Sequence, residues 1–251
     1  VKQIFTASTH DTILFFSNKG KLYRLRGYEV PEAGRTAKGT AIVNLLSLEP
    51  GEKISAVIPI QNFADGKYLL MATQSGLIKK TSLKEYDTSR KSGLQAINLK
   101  EDDELISVRL TDGEDNVVLV TEAGLCITFD EKDVRPIGRT GQGVIGIRLN
   151  EGDKVIGMES IISGNKNATL LAITENGFGK RTELEEYKVQ ARGGKGVITY
   201  KITPKTGKII GIRIATDDED VMLITDTGVI IRLKVSDISV LGRSTQGVTL
   251  M

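Results

Sequence analysis

Five times along this chain a run of four apolar residues is followed by Ser or Thr, two further residues and Gly. The turns are Ser17-Asn18-Lys19-Gly20, Thr73-Gln74-Ser75-Gly76, Thr121-Glu122-Ala123-Gly124, Thr174-Glu175-Asn176-Gly177 and Thr225-Asp226-Thr227-Gly228. A short apolar run that ends in a Gly turn reads as a strand buried on both faces, and the run after it, such as residues 21–25, completes a hairpin. Glycine supplies the positive φ of a tight turn, and the hydroxyl bonds to the local backbone, so the motif recurs for reasons that need no catalysis.

A second series runs in step with the first. Arg-to-Gly loops occur at residues 34–39, 89–93, 138–143, 190–196 and 242–247, closing at Gly39, Gly93, Gly143, Gly196 and Gly247, roughly fifty residues apart. The fullest is Gln190-Ala191-Arg192-Gly193-Gly194-Lys195-Gly196. Between hairpin and loop lies a short acidic segment, such as residues 83–87 or 184–187, read as a helical turn. After the loop a third strand is expected, at residues 41–46, 145–149 or 197–202. A fourth is expected at residues 54–60, 105–110 or 155–161. Four strands per unit describe an all-β, propeller-like array. The whole chain reads as one domain, residues 1–251, with repeats at 1–48, 49–100, 101–150, 151–203 and 204–251. Residues 1–8 have the fourth-strand role and residues 248–251 the third, so the two ends together are expected to complete one blade.

Composition agrees with many turns and strands: 39% hydrophobic residues, 27 Gly and no Trp. The single Cys126, inside an apolar run, excludes a disulfide framework and a thiolate metal site and suits a reducing cytoplasm. No apolar stretch approaches membrane-spanning length, and no signal-peptide pattern opens the chain, so a soluble protein is expected.

Net charge is only +2, so a basic surface has to arise from segregation. Four residues past the turn glycines stand Arg24, Lys80, Thr128, Arg181 and Arg232, with Lys79 and Lys180 beside two of them. The loops add Arg35, Lys38, Arg90, Lys91, Arg139, Arg192, Lys195 and Arg243, while acidic residues gather at 49–52, 101–104, 112–115 and 217–220. Two readings stay open: a basic belt that suits a polyanion, or solvated edge charges that discourage aggregation. Gly193 and Gly194 between Arg192 and Lys195 suit phosphate, since small residues let backbone N–H groups approach; a plain flexible turn is the alternative.

Other signals lack context. Gly141 to Gly146 matches GxGxxG but runs into β-branched residues where a dinucleotide fold needs a helix. No P-loop is present, His10 is the only histidine, and the carboxylates form no motif, so no catalytic residue, no metal site and no cofactor is expected. The Asn167-Ala168-Thr169 sequon is without meaning in a cytoplasmic protein.

At residues 190–196 the chain resembles the C-terminal domain found in the A subunit of bacterial DNA gyrase, a domain whose hallmark box reads Gln-Arg-Arg-Gly-Gly-Lys/Arg-Gly. Residues 9–16, 28–33, 42–46 and 242–248 also resemble that family, so the likeness covers essentially the whole chain. The related domain of topoisomerase IV is similar. The resemblance implies a β-pinwheel, a propeller-like array with strands exchanged between neighbours. It further implies a basic perimeter that binds and bends double-stranded DNA through its phosphate backbone. Wrapping there serves ATP-dependent negative supercoiling, while the catalytic tyrosine and the ATPase lie elsewhere in the gyrase A and B polypeptides. The expected contacts are Arg24, Lys79, Lys80, Lys180, Arg181 and Arg232, helped by Arg35, Lys38, Arg90, Lys91, Arg139, Arg192, Gly193, Gly194, Lys195 and Arg243. A monomeric isolated domain, cytoplasmic and nucleoid-associated, is expected. A propeller-like protein-interaction scaffold is the alternative. Two features depart from the family pattern: five repeats are counted where gyrase-type members usually have six with the box in the first, and Ala191 replaces an Arg of the box. The acidic tail of some members is also not seen.

Overall fold

The structure is a computed structural model that describes residues 4–90, 93–162 and 167–251. Five hairpins form where the turn motif places them: β1 (Thr12–Ser17) with β2 (Lys21–Arg26), β4 (Tyr68–Thr73) with β5 (Leu77–Ser82), β8 (Asn116–Thr121) with β9 (Leu125–Asp130), β12 (Ala168–Thr174) with β13 (Phe178–Glu183), and β16 (Asp220–Ile224) with β17 (Ile230–Lys234). The recurring hydroxyl has one task in all five. Ser17 Oγ accepts the N–H of Lys21 at 3.3 Å, Thr73 that of Leu77 at 3.2 Å, Thr121 that of Leu125 at 3.2 Å, Thr174 that of Phe178 at 3.3 Å and Thr225 that of Val229 at 2.9 Å.

Four of the hairpins belong to four-stranded antiparallel blades, each completed by the next repeat. The inner strands are β3 (Ile54–Ile60) on β1, β7 (Leu105–Thr111) on β4, β11 (Val155–Ile161) on β8 and β15 (Ile209–Thr216) on β12. The outer strands are β6 (Leu94–Gln95) on β2, β10 (Val144–Ile145) on β5, β14 (Val197–Ile198) on β9 and β18 (Val248–Thr249) on β13. This is the β-pinwheel, and the acidic segments are 3₁₀ turns such as Leu83–Tyr86 and Leu184–Glu186.

The outer strands are shorter than the sequence suggests. After two ladder residues the chain bends onto the turn of the hairpin it has joined: the N–H groups of Thr199 and Tyr200 both point to Gly124 O, at 2.8 and 3.3 Å. Gly124 has φ +88°, and a Cβ there would stand 2.4 Å from Tyr200 O, so both the turn and the incoming segment demand glycine.

Two expectations for the ends are corrected. Residues 41–46 form no strand but a 3₁₀ turn, Ile42–Asn44, and the outer edge of the hairpin before them, on β2, is taken by β6 of the next repeat. Leu45, Leu46 and Leu48 instead fold over Ile13, Phe15 and Tyr23, the outer face of the first blade. The ends do not complete a blade together: β18 joins β13, residues 4–8 are in no strand, and β16–β17 is a two-stranded sheet among the described residues.

The cores lie between blades, which explains why the apolar runs are continuous. Leu69 and Met71 pack with Leu14, Phe16 and Leu22 of the first blade, while Leu70 and Ala72 pack with Val117 and Leu119 of the third. Val118, Val120 and Cys126 then meet Leu170 and Ala172 of the fourth. Period-two alternation thus serves two neighbours at once. The inner strands line a cavity of about 1040 Å³, where Arg109 and Arg213 converge on Glu159 at 2.6 and 3.3 Å. Among the described residues no helix is long and apolar enough to cross a membrane.

Gly228 has φ +89° but open space around it, so it separates the two demands on a turn glycine. Gly228→Ala is expected to cost about 1 kcal/mol from the left-handed backbone alone. Gly124→Ala adds a collision with Tyr200 O and is expected to cost about 3 kcal/mol, both read from urea unfolding.

Candidate nucleic-acid interface

The outer rim is assembled from pieces of two repeats at a time. After its 3₁₀ turn each chain segment runs back along the second strand of the preceding hairpin: Ile137 N bonds Lys80 O at 2.9 Å, Gln190 N bonds Thr128 O at 2.7 Å and Leu241 N bonds Arg181 O at 2.8 Å. The Arg-Gly loop follows on the rim, and neighbouring loops are stitched together. Asn98 N bonds Gly141 O at 3.1 Å, Arg148 N bonds Gly194 O at 2.8 Å and Lys201 N bonds Thr245 O at 2.9 Å.

The strand cations are drawn into this assembly. Lys80 is buried, with Nζ donating to Glu131 O at 2.8 Å and lying 5.3 Å from the Tyr68 ring. Arg181 is buried, with Nε on Ile238 O at 2.8 Å and Nη1 paired with Asp217. Half-buried Arg24 donates to Thr88 O and stacks over Phe63. Lys79 is fully buried, its ammonium donating to Ala96 O at 2.6 Å and to Arg139 O. Lys180 is buried on Gly242 O at 2.6 Å, Arg243 O at 2.7 Å and Thr245 Oγ1 at 3.0 Å, above the Tyr200 ring. Arg232, at the same address in the fifth hairpin, is exposed and paired with Asp220.

The loop arginines form a second set of latches. Arg139 Nη1 donates to Gln95 O at 3.1 Å, Arg192 Nη1 to Ile145 O, and Arg243 Nη1 to Ile198 O at 3.2 Å. In each case the acceptor is the carbonyl of an outer strand in the preceding blade, on an edge that no further strand covers among the described residues. Gly196, at φ +76°, would place a Cβ 2.4 Å from Cys126 O, so the closing glycine is a docking requirement of β14 on β9. Gly193 also takes positive φ, +81°, and its N–H bonds Gly146 O at 2.8 Å, whereas Gly194 does not.

The cations turned to solvent are Arg35, Lys38, Arg90, Lys195 and Arg232; Lys91 lies outside the described residues. The sequence reading passes over four exposed rim cations, Arg135, Arg148, Lys188 and Lys201. Arg148 and Lys201 hold one address, two residues beyond the first N–H that reaches the turn glycine, and aligning the outer strands on that contact exposes the match.

Burial holds the Lys79 ammonium down to about 7, with Arg139 lowering it further. Lys180 is held at about 8 by burial, which neighbouring Glu186 partly opposes. Burial also lowers Lys80, against the pull of Glu131, and raises the Cys126 thiol to about 12, leaving it an inert core group. Asp112, Asp115 and Glu131 approach one another within 4.8 Å. The Glu131 oxygens accept from Asp115 N at 2.7 Å and Thr111 Oγ1 at 2.8 Å, which makes the trio part of the blade's own bonding.

A family model described as DNA gyrase C-terminal domain, beta-propeller, matches residues 11–61, 67–112, 115–162, 168–216 and 219–251. The chain belongs to this family. It is 55% identical over its full length to the DNA gyrase A protein of Clostridium acetobutylicum and 48% identical to that of Staphylococcus epidermidis, covering 30% and 28% of those proteins. The chain thus spans less than a third of the curated relatives it matches. Among solved structures it resembles the C-terminal domain of DNA topoisomerase IV with TM-score 0.87 and 33% identity, over 97% of this chain and 75% of that one. It also resembles a DNA gyrase A C-terminal domain with TM-score 0.84 and 28% identity, over 98% and 79%. Within the family fold, the repeat glycines and arginines thus have structural work of their own.

Buried Lys79 gives the domain a defined response to pH. The unfolded chain keeps the Lys79 proton up to its ordinary 10.5, while the folded chain releases it near 7. Between these values the unfolded state binds more protons, so stability rises with pH across that window. Lys79→Met is expected to flatten the rise, measured as the wild-type minus variant difference in urea unfolding free energy at a series of pH values.

Proposed function

We propose that this domain binds double-stranded DNA along its outer rim and bends it toward a wrap. It serves as the non-catalytic DNA-holding part of a type IIA topoisomerase. The observation that carries the reading is the recurrence of solvent-turned cations, Lys195, Arg148 and Lys201, on consecutive loops stitched to one another, in a chain of the gyrase C-terminal domain family. Phosphates are recognised by charge and backbone shape, with weak sequence preference. Arg35, Lys38, Arg90 and Arg232 extend the positive surface, and Arg139, Arg192 and Arg243 border it. Lys79, Lys80, Lys180 and Arg181 act one step back, as the groups that hold the loops in place.

Identities of 55% and 48% to gyrase A proteins favour gyrase over topoisomerase IV as the parent enzyme. The rest of the gyrase A polypeptide, together with the gyrase B polypeptide, then completes a cytoplasmic, nucleoid-associated enzyme that supercoils DNA with ATP. The domain itself needs no cofactor and is a monomer when isolated.

Two measurements test the reading. Duplex affinity is expected to fall steeply with salt, and the triple variant Arg148→Glu, Lys195→Glu, Lys201→Glu should lower the log-log slope by about 0.9 for each phosphate contact removed. In the second, the domain is mixed with nicked plasmid, which is then ligated and scored for trapped linking difference. Wild type is expected to trap one and the triple variant to lose it; saturable binding to a protein partner with no salt-sensitive DNA binding would instead establish a scaffold.

A further inference from the structure

The short outer strands carry more than charge. Val144, Val197 and Val248 share one register position, and Ile145, Ile198 and Thr249 the next. Ile145 is 45% exposed and Ile198 53%, on strands of two residues that form the open edge of their blades. Edge strands are commonly protected by charged side chains, and a single exposed aliphatic needs no explanation. Recurrence at one register position in consecutive blades is a different matter.

Each of these isoleucines is framed in the same way. Its own carbonyl accepts from the arginine of the next loop, Arg192 for Ile145 and Arg243 for Ile198. Three residues on stands an exposed cation, Arg148 or Lys201. Ile198 and Arg243 line one recess of about 530 Å³ with Val197, Gly196, Gly242 and Glu186, whose carboxylate accepts from Arg243 N at 3.0 Å and leaves the Arg243 guanidinium on Ile198 O. At the first junction the equivalent positions are polar: Gln95 beneath Arg139, followed by Asn98. An aliphatic side chain between two cations complements a surface with an apolar strip between two rows of negative charge. The minor groove of duplex DNA has this form, with deoxyribose walls between phosphate backbones.

We infer that Ile145 and Ile198 are apolar contacts that press on the sugar walls of the minor groove while the flanking cations hold the phosphates on either side. This rests on the DNA-binding reading above and adds to it a contact that salt does not screen. It also assigns the minor groove as the side facing the rim at the second and third blades.

The test is the double variant Ile145→Gln, Ile198→Gln, which gives both junctions the chemistry of Gln95. Both positions are half open to solvent, so the urea midpoint is expected to stay at the wild-type value. Duplex affinity should fall about tenfold at every salt concentration with an unchanged salt slope, and the bend measured by energy transfer between the ends of a labelled duplex should decrease. Calorimetry supplies a readout that needs no variant: wild-type binding should show a negative heat-capacity change, the marker of apolar burial. Unchanged affinity and bend in a folded double variant, or a wild-type heat-capacity change near zero, would overturn the inference while leaving salt-sensitive DNA binding intact. Wild-type protein that does not bind duplex in a salt-sensitive way would overturn the DNA-binding reading itself.

Discussion

The structure depends on one contact made four times: the carbonyl of a hairpin-turn glycine receives two successive N–H groups from the next repeat. Gly20 O accepts Ala96 and Ile97, Gly76 O accepts Gly146 and Ile147, Gly124 O accepts Thr199 and Tyr200, and Gly177 O accepts Leu250 and Met251. The shorter distance is 2.8 Å in all four. Because the donors come from a segment exchanged between repeats, no blade contains its own outer strand. Stability is therefore shared along the array as neighbour terms rather than held within units. The ends follow from this: the first blade covers its open face with residues 45–48, and the fifth hairpin keeps both edges bare among the described residues.

Exchange creates carbonyls that a ladder cannot satisfy, and the cations answer them. A segment that pairs for two residues and then bends leaves acceptors in the bend and in the adjoining loop. Lys79 and Lys180 reach these from the hairpin side, and Arg139, Arg192 and Arg243 reach the edge carbonyls from the rim side. A charged donor makes a stronger bond than a neutral one, which offsets part of the cost of burial. That the cost is not fully offset is visible in Lys79, held down to about 7. With these cations turned inward, the net charge of +2 is a poor guide to the surface, where Arg148, Lys195 and Lys201 face solvent.

What was legible in the sequence was local. The Ser/Thr-x-x-Gly turns were readable because the hydroxyl's partner is four residues away and the glycine's φ is set within the turn. The inner strands were readable because each apolar-rich run follows an acidic or Gly-containing turn, as Val155–Ile161 follows Glu151-Gly152-Asp153. The outer strands were placed approximately and their partners were not legible, since Val197 meets Cys126 and Val248 meets Gly179, each about seventy residues away. For residues 41–46 the pattern of a strand was present, but its leucines pack on the face of the first blade and the backbone forms a 3₁₀ turn. Charge was the least legible property, because Lys80 and Arg181 read as solvated until the loops that cover them, at residues 131 and 238, are in place.

The fifth hairpin shows why register alone does not assign a role. Arg24, Lys80, Arg181 and Arg232 occupy one address, four residues past the turn glycine. Where the following repeat lays its loop over that address, the cation is withdrawn to a backbone carbonyl, as with Lys80 on Glu131 O and Arg181 on Ile238 O. Where no following loop packs among the described residues, Arg232 stays open and pairs only with Asp220 across its own hairpin. The side chain is nearly the same and its environment is opposite, so burial here belongs to the neighbour and not to the residue. A basic rim built this way cannot be located by counting cations in a repeat. It is located by asking which cations remain after each interface has taken the donors it needs, and in this chain those include Arg148 and Lys201, beyond the outer strands beside Ile145 and Ile198.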